Sequence, residues 1–154
     1  MSGLVTVRIL GMPLATMQRS AEHSDELLRE FALIREDGSD HVPSRLLDLI
    51  EELRTRFGGF SEGPRQAMYD AIERGEATID LQYDVPAEAG AAARRLGDLL
   101  DEADEFCRSG ELLTMVTPPE DQAFRHWYLA EFERQIAGEP PRPWSAVMND
   151  AGDG

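Results

Sequence analysis

The sequence predicts a helix-dominated α+β domain, with two short strands paired in a small sheet and about five helices packed on it and on each other. Three patterns lead there. "ATIDLQYDV" (77–85) alternates without a fault, with Ile79, Leu81, Tyr83 and Val85 on one face and Thr78, Asp80, Gln82 and Asp84 on the other. "LVTVRIL" (4–10) sets Val5, Val7 and Ile9 against Thr6 and Arg8 in the same way. Everything else of length carries apolar residues at helical spacing between Gly and Pro punctuation.

Taken in chain order, 4–10 is the first strand, and Gly11 and Pro13 open a helix on Leu14, Met17, Ala21, Leu28 and Phe31, widened by Leu27 and Ile34. That helix is expected to end near Asp37-Gly38, a turn dipeptide. A second helix should start after Ser44 behind Pro43, bury Leu46, Leu47, Ile50, Leu53 and Phe57, and stop at Gly58-Gly59. A third follows Pro64, with Ala67, Met68, Ala71 and Ile72 inward and Gly75 as its C-terminal cap. After the second strand, Pro86 leads into a long helix whose Ala89, Ala92, Ala93, Leu96, Leu99, Leu100, Ala103, Phe106 and Cys107 keep one face apolar to about Gly110. "SDELLREF" (24–31) and "LGDLLDEA" (96–103) stand at equivalent places after the two strands, offset by one residue. An internal duplication and a chance likeness of two Leu/Glu-rich helices both account for this.

The last helix is the unusual one. Thr117 and Glu120 spell a capping box with Pro118 at the first helical position. Phe124, Tyr128, Phe132, Leu129 and Ile136 cover an arc of roughly 140°, which Trp127 stretches to about 200°, twice what a single buried stripe needs. One part is expected to face the core and another a partner; a domain that wraps this helix on several sides is the competing expectation. Gly138 ends it. "EPPRPW" (139–144) should run on as an extended, polyproline-like arm tipped by Trp144, which needs a groove of its own domain or of a second subunit. The division expected is therefore a single α+β domain over 1–138 and, over 139–154, a proline-rich arm with a flexible tail.

Composition excludes more than it includes. Acids outnumber bases thirty to fifteen, for a formal charge of −15, which opposes nucleic acid and anionic membranes as partners. All fifteen basic residues are arginine, so a Schiff base, a pyridoxal phosphate site and a P-loop lysine have no residue to use. Asn149 is the sole asparagine, which excludes an ATP site that holds magnesium through a helix asparagine, and no G-x-G-x-x-G follows a strand. With no apolar run approaching the ~20 residues of a membrane span and no signal-like start, a cytoplasmic protein is expected. Cys107, the single cysteine, falls on an apolar helix face and reads as a buried thiol.

Candidate sites are few. Asp98, Asp101, Glu102 and Glu105, with Asp104 among them, make the sharpest charge cluster, read either as a solvated face or as a surface whose like charges meet arginines of a neighbouring helix or of a partner. "DLLDEADEF" lacks EF-hand spacing. His23 with Glu26 and Glu30 shares one helix face, but no paired E-x-x-H recurs to complete a metal site. His126 looks solvated and His41 lies in a polar loop. No catalytic residue, cofactor or metal ligand is nominated.

The blocks "VRILGMPL", "HSDELLREFALI", "ERGEATIDLQYDVP", "LLDEADEFCRSGELLTMVTPPE" and "FRHWYLAEFERQIAGEPPRPW" together resemble an uncharacterised actinobacterial family associated with partner-switching systems of anti-sigma kinases, antagonists and phosphatases. The resemblance implies a regulatory role and transfers no site. The expected function is a non-enzymatic regulatory or adaptor protein, in a stress or sigma-factor signalling pathway, that binds another regulatory protein through Asp98, Asp101, Glu102, Glu105, Trp127, Tyr128, Phe132 and Trp144. A homodimer anchored by the aromatic residues is expected too. The alternative is a small-molecule or metal-sensing domain, or an enzyme, with a pocket between sheet and helices where Tyr83, His126 or His23 supplies polar groups.

Overall fold

The two alternating stretches pair with each other: β1 (Val5–Pro13) and β2 (Thr78–Val85) form a two-stranded antiparallel sheet in this computed structural model, which describes residues 3–34, 41–109 and 116–152. Val7, Ile9, Leu81, Tyr83 and Val85 turn to the core, and the opposite face is polar, with the Thr6 hydroxyl donating to Asp84 at 2.7 Å. β1 runs three residues past the alternation because a bulge interrupts it: Ile9 pairs with Leu81 but Met12 with Ile79, so Leu10 and Gly11 together oppose Asp80. The extra residue restores the face, and Met12, three positions after Ile9, is fully buried beside it. Gly11 sits at φ 65°, a left-handed conformation that favours glycine, and its N–H donates to Asp80 Oδ1 at 2.7 Å.

Helices cover one face of the sheet. α1 (Leu14–Ile34) follows β1 directly; the end expected near Asp37-Gly38 lies outside the described residues. α2 (Val42–Phe57) starts earlier than expected, with Pro43 inside its first turn, where a missing N–H costs nothing. Gly58-Gly59 ends it by tightening into a 3₁₀ turn (Gly58–Ser61) that feeds α3 (Glu62–Glu73). Gly75 closes α3, its N–H donating to Ile72 and that of Glu76 to Ala71. α4 (Glu88–Ser109) and α5 (Pro119–Ile136) then pack on each other along their length. A helix-dominated α+β fold with one small sheet is what the sequence predicted.

Two apolar clusters make the core. The first joins the sheet to α3, the first turns of α4, and α5; the second joins Leu27 and Phe31 of α1, Leu46 and Leu49 of α2, and Leu99, Ala103 and Cys107 of α4. The similar segments 24–31 and 96–103 thus meet in one cluster, so their shared pattern serves a shared packing environment.

The tail departs from expectation. Gly138, at φ 100°, ends α5 with the Glu139 N–H donating to Arg134 and its own to Gln135, and the arm then turns back along α5. Where a flexible tail was expected after the prolines, the chain forms α6 (Trp144–Gly152), packed on β1 and α5. Backbone groups of the arm are gripped from α5: Glu131 Oε1 accepts the Arg142 N–H at 2.7 Å, Trp127 Nε1 donates to the Arg142 carbonyl at 2.7 Å, and Arg134 donates to the Pro140 carbonyl at 3.2 Å. Trp144 is 7% exposed, its ring centre 5.4 Å from that of Trp127 in a tilted contact and 5.9 Å from that of Phe124 edge-to-face. Trp144→Ala should therefore cost about 3–5 kcal/mol in urea unfolding, the range for emptying a buried large aromatic site. A loss below about 1 kcal/mol, the level of an ordinary surface change, would mean the arm is not docked.

Candidate functional site

The acidic face of α4 exists, with Asp98, Asp101, Glu102 and Glu105 all exposed on it. Its charges are largely met within the chain. Arg45 of α2 reaches Glu102 at 3.5 Å, Arg108 reaches Glu105 at 2.9 Å, and Arg125 of α5 reaches Asp101 at 2.6 Å. The same Arg125 holds Asp104 at 2.9 Å. Asp104 is only 2% exposed and also accepts the Thr117 hydroxyl at 2.8 Å and the Gln122 amide at 3.3 Å. A carboxylate in such a place must be paired, and this one ties α4 to α5. It also displaces the expected capping box: Thr117 is spent on Asp104, Pro118 rather than Thr117 is the N-cap, no side chain caps the helix, and Glu120 turns to Thr16 and Arg19 of α1.

Asp101 Oδ1 lies 2.8 Å from His126 Nε2, so His126 is a partner of the acidic face rather than merely solvated. Burial alone would raise the Asp101 carboxyl, but the hydrogen bonds and charges of His126 and Arg125 outweigh it and hold the group below the ordinary carboxylate range. Among the described residues no hydroxyl or thiol is hydrogen-bonded to His126, and no group of three or more His, Cys, Asp and Glu is arranged to hold a metal. Cys107 is fully buried, its thiol pushed up to about 11 by desolvation and by the Asp104 carboxylate, which suits packing and not nucleophilic attack.

The aromatic residues of α5 face inward on two sides. Trp127 and Phe124 meet Trp144, while Tyr128 and Phe132 meet Tyr83 of β2 at ring-centre distances of 6.3 and 5.1 Å. The rings expected to anchor a second copy, Trp127, Phe132 and Trp144, are spent on the core of their own domain, and Tyr128 is half-buried. The wide aromatic arc belongs to a helix wrapped by sheet, α1, α4 and α6.

Among the concavities of the described residues, the most apolar lies where the two core clusters meet. It measures about 320 Å³ and is walled by α2 and the 3₁₀ turn on one side, by β2 and α5 on the other, with α4 behind. Ala89, Ala92 and Ala93 of α4 make it possible, because they place methyl groups where longer side chains would fill the space. Its lining residues are apolar except for Ser61, Arg54, Arg65 and the tyrosines Tyr83 and Tyr128, whose hydroxyls bond each other at 2.8 Å. Burial raises both phenols above their usual value, Tyr128 the more, so both stay protonated at neutral pH. Of the polar groups expected in a pocket between sheet and helices, Tyr83 is here, while His126 and His23 are not. Arg54, Arg65 and Phe60 were missed, since in sequence they are ordinary positions of an amphipathic helix, a helix start and a turn. No family model, curated protein or solved structure matches this chain.

The depressed Asp101 carboxyl fixes the sign of a pH effect. A group whose folded value is lowered adds stability above its unfolded value of about 3.9 and loses it as pH falls through the folded value. On a half-exposed carboxylate solvent screening limits this to about 1 kcal/mol or less. Asp101→Asn should thus be less stable than the parent in urea at pH 7, and the gap should close as pH is lowered below about 4. A gap independent of pH would show that the carboxylate charge contributes nothing.

Proposed function

We propose that this protein is a cytoplasmic, non-enzymatic regulatory domain that takes a small, largely apolar molecule in the cleft between α2, α4, α5 and β2. The observation that carries this is the cleft itself, a cavity of about 320 Å³ bounded by apolar side chains with a few converging polar groups. That size and makeup are those of small-molecule sites, which run from about 300 Å³ upward. The residues around it include no nucleophile paired with a base, which favours binding over turnover.

An adaptor role is the second reading, and the exposed acids of α4 favour it. Asp98, Asp101, Glu102 and Glu105 lie on one helix face of a chain with a formal charge of −15, a surface suited to a basic regulatory protein. The two readings combine in a sensor whose occupancy alters what α4 offers to a partner, because α4 forms both the back of the cleft and the acidic face. No homodimer is needed for either.

A neutral apolar fluorophore, N-phenyl-1-naphthylamine, tests the binding reading. The parent protein should bind it saturably at one site, and Ala92→Phe, which fills the cleft from its back wall, should weaken binding at least about tenfold while circular dichroism stays unchanged. Absence of saturable binding, or equal affinity in Ala92→Phe, would contradict the assignment.

A further inference from the structure

The cleft is electrostatically unlike the rest of the molecule. Its lining holds two arginines and no carboxylate, in a chain with two acids for every base. Elsewhere Arg45, Arg95, Arg108, Arg125 and Arg134 all have carboxylate partners. Arg54 has no ion pair or side-chain hydrogen bond among the described residues, and Arg65 reaches only the Ser61 hydroxyl, at 3.4 Å. The Ser61 hydroxyl itself donates to the Gly58 carbonyl at 2.9 Å, so the 3₁₀ turn places the contact that holds Arg65 at the rim. In a molecule this acidic, two exposed guanidinium groups without an ion pair among the described residues, on an apolar cleft that no carboxylate lines, are an arrangement that invites an anion from outside.

The tyrosine pair adds a donor inside. Two phenols carry two protons, and their mutual hydrogen bond uses one. Among the described residues neither hydroxyl has a further hydrogen bond, so the second proton is left for another acceptor, and both residues line the cleft. Arg65 is close enough to Tyr83 for its charge to act on that hydroxyl, which puts cationic and neutral donors near one another.

We infer that the ligand is an amphipathic carboxylate: an apolar chain or ring system laid against Ala89, Ala92 and Ala93, with its carboxylate held by Arg54 and Arg65 and within reach of the free tyrosine proton. This rests on the cleft being a ligand site and adds the charge and polarity of what it takes. Recognition comes from opposite ends of the ligand. Burial of the apolar part supplies most of the affinity, and the arginines supply the choice of head group.

Three probes of equal chain length test it by calorimetry on the full chain: decanoate, 1-decanol and decyltrimethylammonium, each below its aggregation concentration. The parent protein should bind decanoate at least about tenfold more tightly than 1-decanol and should bind the cation weakest. Arg54→Gln/Arg65→Gln should lose the preference for decanoate while holding its affinity for 1-decanol, and because both side chains are exposed the core is left intact. Equal affinity of the parent for acid and alcohol, tightest binding of the cation, or a preference that survives the double substitution overturns the inference and leaves the cleft an apolar site. If none of the three binds, the inference fails; if the neutral fluorophore fails as well, the binding reading falls with it.

Discussion

The close approach of α4 and α5 is the constraint on which the rest depends. Gly90 and Gly97 stand at the contact: a Cβ added at Gly90 would lie 3.5 Å from Ile136, and one at Gly97 would lie 3.5 Å from Leu129. Both distances are ordinary van der Waals contact, so the α4–α5 seam has room for an alanine at either position but not for a larger side chain, and α5 packs its own large side chains there while still lying over the sheet. A helix so placed meets apolar neighbours on most of its circumference, which is why it carries rings on two sides instead of one stripe. Ala89, Ala92 and Ala93 of the same helix line the cleft, where their short side chains leave space between α4 and the larger side chains of α2 and α5.

Enclosing α5 also encloses polar groups, and its buried side chains find partners, although the Nε of Arg125 is left without one. The Gln135 side-chain amide completes β1, its oxygen accepting the Arg8 N–H and its nitrogen donating to the Arg8 carbonyl, both at 2.8 Å. A two-stranded sheet leaves unpaired edges, and at Arg8 one of them is paired by a side chain rather than a third strand. Glu131, 1% exposed, accepts from Gln135, Arg134 and the Arg142 N–H, so a buried carboxylate fixes both the sheet edge and the returning arm. Asp104 does the equivalent at the other end of the helix pair through Arg125, Thr117 and Gln122. Removing one partner from such a site costs more than the interaction gains, which gives these contacts their specificity.

Local patterns were legible in the sequence and global enclosure was not. The alternation of Ile79, Leu81, Tyr83 and Val85 marked β2, and Gly138 marked the end of α5, because each depends on a residue and its near neighbours. The end of β1 was hidden by the bulge at Leu10-Gly11, which shifts the alternation by one and leaves Met12 looking like a turn residue. Thr117 and Glu120 had the spacing of a capping box, but Asp104 and Arg19 compete for them from elements distant in the chain. The aromatic arc of α5 was read as part interface because a sequence does not say how many neighbours a helix has. Helix α6 was missed behind three prolines, since it is held by packing on β1 and α5 more than by its own length. Of the cleft, Tyr83 was legible as a polar group on an inward face; Arg54 and Arg65 become notable only once three dimensions place both on a cleft that no carboxylate lines.

Methyl-resolved nuclear magnetic resonance of the full chain, titrated with N-phenyl-1-naphthylamine, tests the central claim that this cavity is a binding site most directly. The largest shifts should fall on the methyl groups of Ala89, Ala92, Ala93, Leu53 and Leu129, which come from three different helices and meet only in the cleft. Shifts confined to exposed apolar side chains such as Leu4, Leu33 and Met148, with the alanines of α4 unmoved, would contradict it.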